Sequence, residues 1–393
     1  MTRKLIAGIL LLASQVSFAQ SQDMRKLIDS EFQFAAKQYK VLDKNIPAGL
    51  TPQSFNAKTN KLVTYDIKWW CSGFYSGSLW YIFEQTKDAE IKKDAEKALK
   101  ILEPNQTYTG HHDLGFMMFC SFGNAYRLTG KPEYKEIIQN SAQSLATRFR
   151  PEIGSIQSWN KNKYFNCPVI IDNMMNLEML NWASDNGGDA RLKEISVKHA
   201  NTTIANHFRP DFSSYHVVDY DLTTGKVIRK ATWQGAANTS AWARGQGWAL
   251  YGYTMMYRFT KDTKYLDQAN GIANFILNHP NLPADKIPYW DFDAPFMPFS
   301  NRDASAGALI ASALLELGQY VGAHEKNTYK QAAETMINAL ASSAYKAKLG
   351  ENGGFLLKHS TGALPLNSEI DVPLVYADYY YLEALARYKK WYL

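Results

Sequence analysis

A helical hairpin that recurs six times constrains this chain more than any other feature. Each unit has an apolar helix rich in Gly, Ala and aromatic residues, a short polar turn and an amphipathic helix. The apolar helices begin at GFYSGSLWY (73–81), GFMMFCSFG (115–123), DNMMNLEML (172–180), GQGWALYGY (245–253), SAGALIASA (305–313) and VYADYYYLE (375–383). Helices that are apolar nearly all round are buried, whereas a single apolar stripe marks a helix that covers a core. The repeat therefore predicts six inner helices surrounded by outer ones.

The outer helices follow from their period-3.6 apolar stripes. One stripe comprises Tyr265, Ala269, Ile272, Ala273 and Ile276. Little sequence follows the sixth inner helix, so we expect residues 24–42 to supply its outer partner. Twelve such helices predict an all-α fold, an (α/α)6 toroid of six helical hairpins, in a single domain over residues 20–393. A small β-hairpin is predicted from residues 215–220 and 226–233, which flank DLTTG.

The first 19 residues resemble an export signal. Arg3 and Lys4 precede the apolar run 5–12, and the small residues around Ala19 suit a cleavage site. We expect a signal peptide over residues 1–19, cut after Ala19, and a periplasmic or secreted protein. No Cys follows that site, and no later segment has the roughly 18 apolar residues that a membrane span requires. Neither a lipid anchor nor a membrane partner is expected.

Charge and cysteine spacing exclude several functional classes. The formal net charge of +6 is mild for 393 residues and is not concentrated in a Lys/Arg cluster, so nucleic acid is a poor candidate partner. Cys71, Cys120 and Cys167 lie far apart, in neither metal-site nor disulfide-framework spacing. We expect free thiols, although the sequence leaves one bridge open. With no metal or nucleotide motif, no cofactor is expected.

Polar and aromatic residues precede the inner helices. Because the inner helices of such a ring run parallel, their N-terminal ends share one mouth. The residues there include Asp66, Trp69, Trp70, His111, His112, Asp113, Asp172, Asn173, Trp242, Arg244, Trp248, Arg302, Asp303, Glu369 and Asp371. Helix capping explains isolated Asp residues, and we interpret Asp303 and Asp371 as caps or ion-pair partners. Helix capping does not explain why paired His, paired Trp and an Arg should also precede the inner helices at the same mouth. The pattern favours a polar sugar pocket.

Within this pocket Asp172 and Asp113 are the candidate catalytic carboxyl groups, with capping as the alternative for each. Arg244 suits a ligand carboxylate, because its planar guanidinium can donate two parallel hydrogen bonds. Pairing of Arg244 with a neighbouring acid is the alternative. His216 lies on the predicted hairpin, where an ordinary exposed strand residue is the competing interpretation.

Four motifs carry a resemblance to a known family. The segments that resemble the unsaturated glucuronyl hydrolases, glycoside hydrolase family 88, are HHDLGF, IIDNMMN, TWQGAANTSAWARGQGWALYG and SEIDVPLVYADYYYLEAL. The resemblance implies removal of a 4,5-unsaturated uronic acid from lyase-generated oligosaccharides, by hydration of the vinyl-ether double bond. It implies Asp172 as the general acid/base and Asp113 as a second essential carboxylate. The substrate contacts it implies are Trp70, His112, His216, Gln234, Arg244 and Trp248.

The implied chemistry sets a condition on Asp172. An acid that protonates carbon near neutral pH must keep its proton, so its pKa must be raised. Burial beside Ile170 and Ile171 and the charge of Asp113 would raise that pKa, whereas a helix N-terminus would lower it. We expect Asp172 to be protonated when substrate binds.

Other functions share parts of this pattern. An unsaturated rhamnogalacturonyl hydrolase would use the same fold and chemistry, and an inverting glycosidase would also pair two carboxyl groups. A non-catalytic periplasmic carbohydrate-binding protein would need the aromatic residues and Arg244 but not both acids. The parent polysaccharide stays open among chondroitin, hyaluronan, heparin, gellan, xanthan and ulvan. Residues 353–371, with Lys358, His359, Ser360 and Ser368, do not identify a sulfate site.

Overall fold

The computed structural model describes residues 2–393, with side chains from Gln22 onward. The predicted signal peptide lies outside the residues whose side chains are described. The α-helices are α1 (Thr2–Asn45), α2 (Ser72–Thr86), α3 (Ala89–Leu102), α4 (Asn124–Thr129), α5 (Pro132–Ala146), α6 (Leu177–Asp185), α7 (Arg191–His207), α8 (Ala243–Thr260), α9 (Thr263–Asn278), α10 (Ala304–Leu317), α11 (Ala323–Ala341) and α12 (Val375–Tyr392). A π-helical segment, Gly115–Gly123, leads into α4, and a 3-10 segment, Ile171–Asn176, leads into α6.

These helices form the predicted (α/α)6 toroid. The inner helices are α2, the π-helical segment with α4, the 3-10 segment with α6, and then α8, α10 and α12. Each packs on the next, and α12 returns to pack on α2, which closes the ring. Helix α1 packs on both α2 and α12, so it is the outer helix of the sixth unit, as predicted.

Glycines allow the inner helices to approach one another closely. A Cβ added at Gly73 of α2 would lie 2.1 Å from the carbonyl oxygen of Met117 in the neighbouring inner helix. A Cβ at Gly252 of α8 would lie 2.5 Å from the Cβ of Met174. Contacts this short are not tolerated by real side chains, so the small residues of the inner helices set the diameter of the ring.

Short antiparallel strands decorate one end of the ring. They are β1 (Thr51–Asn56), β2 (Lys61–Tyr65), β3 (Phe149–Arg150), β4 (Ser155–Ile156), β5 (Pro168–Ile170), β6 (Val217–Tyr220), β7 (Val227–Ala231), β8 (Ser360–Ala363) and β9 (Ser368–Val372). The predicted hairpin is confirmed as β6 and β7. It also pairs with β5, a strand that was not predicted, because a short apolar run does not distinguish a buried strand from a helix.

Three further observations concern thiols, metal ligands and membrane-spanning helices. Cys71, Cys120 and Cys167 are free thiols. Over the described part of the chain, no group of three or more His, Cys, Asp or Glu residues is arranged to hold a metal ion. Over that same part, none of the helices has the length and apolar character needed to cross a membrane.

Candidate active site

Asp172 takes its position from strand β5. The N–H of Ile171 donates to the carbonyl oxygen of His216 at 3.0 Å, and Ile170 pairs with Val217. This register brings Asp172 Oδ2 to 3.7 Å from His216 Nε2. Asp172 is the second residue of the 3-10 segment, whose N-cap position is held by Ile170, so the capping alternative is wrong for this residue. Its buried Oδ2 has no hydrogen-bond partner among the described residues.

The environment of Asp172 favours the protonated form of its carboxyl group. Burial raises the pKa of Asp172 to about 7, against the positive charge of Arg244, which lowers it. The negative charge of Asp113 adds to the rise in pKa. The sequence left open whether burial, which raises the pKa of Asp172, or the groups that favour its anion would dominate. In the structure the effect of burial is the larger one. Near neutral pH, a large fraction of the molecules therefore carries a proton on Asp172.

His216 is held as a neutral donor that faces this carboxyl group. Its Nδ1 accepts hydrogen bonds from the backbone N–H groups of Trp233 and Gln234, at 3.0 and 3.1 Å. An acceptor Nδ1 places the ring proton on Nε2, the atom that faces Asp172. Burial lowers the pKa of His216 to about 3, so the ring is neutral at physiological pH. Gln234 contributes this backbone contact, and its side chain is half-buried.

Asp113 has the opposite electrostatic environment. Its Oδ2 lies 3.0 Å from His111 Nδ1, and its Oδ1 lies 3.3 Å from His112 Nε2. Burial raises the pKa of Asp113, but His112 and His111 outweigh that effect and hold the pKa below its ordinary value. Asp113 is therefore the ionised carboxylate and Asp172 the protonated one. Two carboxyl groups whose pKa values are pushed apart are typical of acid/base sites.

Asn176 orients His112, a role that the sequence analysis did not assign. The Asn176 side-chain amide lies 3.5 Å from His112 Nδ1, and its Oδ1 accepts the backbone N–H of Phe116 at 3.2 Å. The amide donor favours an acceptor at Nδ1, which leaves the His112 Nε2–H directed at Asp113. Burial lowers the pKa of His112 to about 4, so this ring is also neutral. In the sequence, the only indication of this role was the second amide residue of DNMMN, which is Asn176.

Arg244 donates three hydrogen bonds within the protein. Its Nη1 donates to Asp303 Oδ2 at 2.9 Å and to the Thr361 carbonyl at 2.7 Å, and its Nη2 donates to the Gly362 carbonyl at 2.6 Å. The structure therefore has Arg244 paired with a neighbouring acid, as the alternative interpretation expected. The guanidinium also lies 4.5 Å from the centroid of the Trp242 ring. Direct binding of a ligand carboxylate by Arg244 stays a prediction.

The two acids interpreted as caps or ion-pair partners are both confirmed in those roles. Asp303 caps α10 by accepting the N–H of Ser305 at 3.0 Å, in addition to pairing with Arg244. Asp371 pairs with His359 Nδ1 at 2.6 Å on the β8–β9 hairpin. Lys358 donates to the carbonyl of Ser343 at 2.9 Å.

Aromatic rings form the floor of the site. Trp248 is buried and contacts Phe116, with ring centroids 5.0 Å apart. Trp70 is half-buried and contacts the same Phe116 at 5.5 Å. Trp69 instead stacks on exposed Tyr65 at 4.5 Å. Trp70, rather than Trp69, therefore shares an aromatic cluster with Trp248.

Glu369 is a further acidic residue at this mouth to which the sequence analysis gave no role. It is half-buried, and its carboxyl group accepts a hydrogen bond from the Gln53 side chain. Burial raises its pKa to about 7, while the charge of Arg244 lowers it. Nothing in its sequence position distinguished it from a solvated hairpin residue. Its burial arises because the β1–β2 and β8–β9 hairpins lie against each other.

Comparison with known proteins gives the same family from a family model and from individual relatives. Residues 48–392 match the model of Glycosyl Hydrolase Family 88. An unsaturated glucuronyl hydrolase of Formosa agariphila is 43% identical over 395 residues, which cover 98% of each protein. An unsaturated chondroitin disaccharide hydrolase of Streptococcus agalactiae is 34% identical and covers 87% of this chain and 86% of its own length.

A solved structure extends this similarity to three dimensions. The crystal structure of an unsaturated glucuronyl hydrolase specific for heparin is 46% identical in sequence and superimposes with a TM-score of 0.90. The superposition covers 93% of this chain and 97% of that protein. The similarity therefore spans the whole ring and its decorating hairpins.

Proposed function

The chain belongs to glycosyl hydrolase family 88 and is an unsaturated glucuronyl hydrolase, and from that premise we propose that Asp172 is its general acid/base. The observation that carries the proposal is the contrast between the two acids. Asp172 has a pKa of about 7 and an unpaired Oδ2, whereas Asp113 is held ionised by two histidines. The names of the relatives favour this activity over the rhamnogalacturonyl and binding-protein alternatives.

The proposed reaction begins with proton transfer to carbon. The C4=C5 double bond of the unsaturated uronic acid is a vinyl ether, so its electron pair can take the proton of Asp172 at C4. The resulting positive charge is shared between C5 and the ring oxygen. Water then adds to C5 while the Asp172 carboxylate accepts the proton that the water loses. The hemiketal opens by breaking the bond between C5 and the ring oxygen, which gives a ketone at C5 and leaves that oxygen as a hydroxyl group on C1. The hemiacetal now present at C1 releases the sugar as an alcohol and becomes an aldehyde.

The neighbouring residues fit this sequence of steps. The ionised Asp113 is suited to stabilise positive charge on the sugar ring, because its burial strengthens the electrostatic interaction. His216 offers a neutral N–H beside Asp172 and does not compete for the proton, since its pKa is about 3. We propose that half-buried Trp70 provides an aromatic face for the sugar ring, with buried Trp248 packed in the same aromatic cluster. We propose that Gln234, His112 and Arg244 complete the substrate contacts.

We further propose that the natural substrates are unsaturated oligosaccharides derived from glycosaminoglycans. Two similar proteins support this class, one named for unsaturated chondroitin disaccharides and one described as specific for heparin. The test is a panel of unsaturated disaccharides from chondroitin, hyaluronan, heparin and ulvan lyases, assayed by the loss of ultraviolet absorbance. Higher kcat/KM on the three glycosaminoglycan products supports the proposal, and a clear preference for the ulvan product contradicts it.

Export is a separate proposal. The basic residues Arg3 and Lys4, the apolar run and the small residues before Gln20 support removal of residues 1–19 on export to the periplasm or medium. Edman sequencing of the protein from the periplasmic and culture fractions of a Gram-negative host tests it. A first residue of Gln20 supports the proposal, whereas full-length protein confined to the cytoplasm contradicts it.

A further inference from the structure

The ring contains a second cavity, of about 610 Å³, that is distinct from the candidate active site. Its walls come largely from the C-terminal halves of the inner helices, including Gln85 of α2, Arg127 of α4, Trp182 of α6, Arg258 of α8 and Trp391 of α12. None of the eight predicted site residues lines it. The active site lies at the N-terminal ends of the same helices. We call this second space the rear cavity.

An aromatic layer separates the rear cavity from the active site. Phe116 and Tyr380 line the rear cavity. Both also contact Trp248 of the active site, with ring centroids 5.0 and 5.4 Å apart. Because these rings are buried and closely packed, a molecule in the rear cavity would not touch the catalytic carboxyl groups. The two spaces are therefore independent binding volumes with a shared wall.

The arginines and carboxylates of the rear cavity are paired with one another, whereas Lys389 pairs with Asp29 outside the lining and Lys390 is exposed. Arg258 contacts Glu178 and Glu316, each at 2.8 Å, and Arg387 contacts Glu316 at 3.0 Å and Glu383 at 3.5 Å. A charged ligand bound among these pairs would have to displace one of the partners and leave a buried charge without compensation. A neutral ligand with several hydroxyl groups would instead add hydrogen bonds to carboxylate acceptors and guanidinium donors without disturbing the pairs.

Aromatic faces line the same space. Half-buried Trp182 packs edge-on to Tyr126, with ring centroids 5.3 Å apart, and both line the rear cavity. Trp391 lies on another wall, where Arg387 covers its ring at 5.6 Å. Flat aromatic surfaces suit the apolar C–H faces of a pyranose ring, while the polar edge of the ring meets charged side chains. A cavity of this volume is also within the usual range for small-molecule sites.

We propose that the rear cavity is a second binding site for a neutral pyranose sugar. The paired buried charges, the aromatic walls and the volume all favour an uncharged, polyhydroxylated ring of one or two units. The site differs from the active site, whose proposed substrate carries a carboxylate. Occupancy of the rear cavity does not depend on turnover, so the proposal stands or fails separately from the proposed function.

The test measures binding of free glucose and N-acetylglucosamine to the full chain by calorimetry and saturation-transfer NMR, with glucuronic acid and glucosamine as charged comparisons. Ala386→Trp fills the rear cavity, since Ala386 lines it. Trp182→Ala removes one aromatic wall and leaves the cavity open. Ala89→Trp, on the exposed surface of α3, is the matched control for adding an indole. Circular dichroism establishes that each variant is folded.

We expect a neutral sugar to bind the unaltered chain and Ala89→Trp, and Ala386→Trp to lose that binding. Trp182→Ala should weaken it about fivefold, the loss expected for one aromatic contact. All three variants should retain the rate of absorbance loss on unsaturated disaccharides. The proposal is overturned if no neutral sugar binds, if the charged sugars bind more tightly, or if affinity is unchanged in Trp182→Ala. Binding that is lost in Trp248→Ala but persists in Ala386→Trp would assign the sugar to the active site and also overturn it.

Discussion

The alkaline limb of the pH profile follows from the pKa of Asp172. Burial raises that pKa to about 7, and the proposed first step consumes the proton that Asp172 carries. The protonated fraction falls from about 0.9 at about pH 6 to about 0.1 at about pH 8, so kcat/KM should fall about tenfold over that interval. The rate falls rather than rises with pH, because a group with this raised pKa is mostly protonated below about pH 7 and mostly ionised above it.

Other titratable groups at the mouth must be separated from Asp172. His112 and His216, with pKa values of about 4 and 3, stay neutral across this interval and contribute no limb. Glu369 has a pKa of about 7, and the pKa of His111 is raised by Asp113 despite the opposing effect of burial. Glu369→Gln and His111→Asn are therefore the control variants, and both should keep the alkaline limb.

The assay is the initial rate of absorbance loss from an unsaturated disaccharide, at several concentrations below KM, in buffers of constant ionic strength. Since kcat/KM reports ionisations of the free enzyme, the limb can be compared directly with the pKa of unliganded Asp172. A profile that is flat through pH 7 would refute the assignment. Loss of the limb in Glu369→Gln would transfer the titration to Glu369.

Three further substitutions test the surroundings of Asp172 and the ring itself. Asp113→Asn should lower kcat about a hundredfold or more with little change in Tm, because it removes a buried anion from the proposed substrate pocket; activity within a few-fold of the unaltered chain would contradict that role. Arg244→Met should destabilise the fold by about 3–5 kcal/mol in urea unfolding, because it leaves Asp303 buried without its cation; a loss below about 1 kcal/mol would show that the pair is dispensable. Gly73→Ala should cost about 1–3 kcal/mol, since its Cβ would meet the Met117 carbonyl, and an unchanged urea midpoint would contradict this account of ring closure.

The ring could be predicted from sequence because its signal is repeated. Six apolar segments alternate with amphipathic ones, and each unit reinforces the interpretation of the others. The closing contact of α1 with α12 also followed from counting hairpins. Strand β5 was not predicted, because Pro168–Ile170 is too short and too uniformly apolar for periodicity to distinguish a strand from a buried helix.

The site was predictable as a set of residues but not as an electrostatic arrangement. Motifs placed Asp172, Asp113 and His216 at one mouth, and the structure brings Asp172 and His216 within 3.7 Å. The competing influences on the pKa of Asp172 depend on burial, which no sequence motif specifies. The partner of Arg244 likewise depends on how α10 and the β8–β9 hairpin pack.

The tautomers of the two histidines illustrate what the fold adds to the motif. His216 receives two backbone N–H groups at Nδ1, and His112 is approached by the Asn176 amide at the same atom. Each ring therefore presents Nε2–H to a carboxyl group. Neither arrangement needs a charged imidazole, which is consistent with their lowered pKa values.

The central claim is that Asp172 supplies the proton for hydration of the double bond, and one comparison tests it most directly. The unaltered chain and Asp172→Asn are each incubated with an unsaturated glycosaminoglycan disaccharide in D₂O, while absorbance and the product NMR spectrum are recorded. The account predicts that the absorbance falls only with the unaltered chain, and that its product carries deuterium at C4. Undiminished absorbance loss with folded Asp172→Asn, or a product without deuterium at C4, would contradict it.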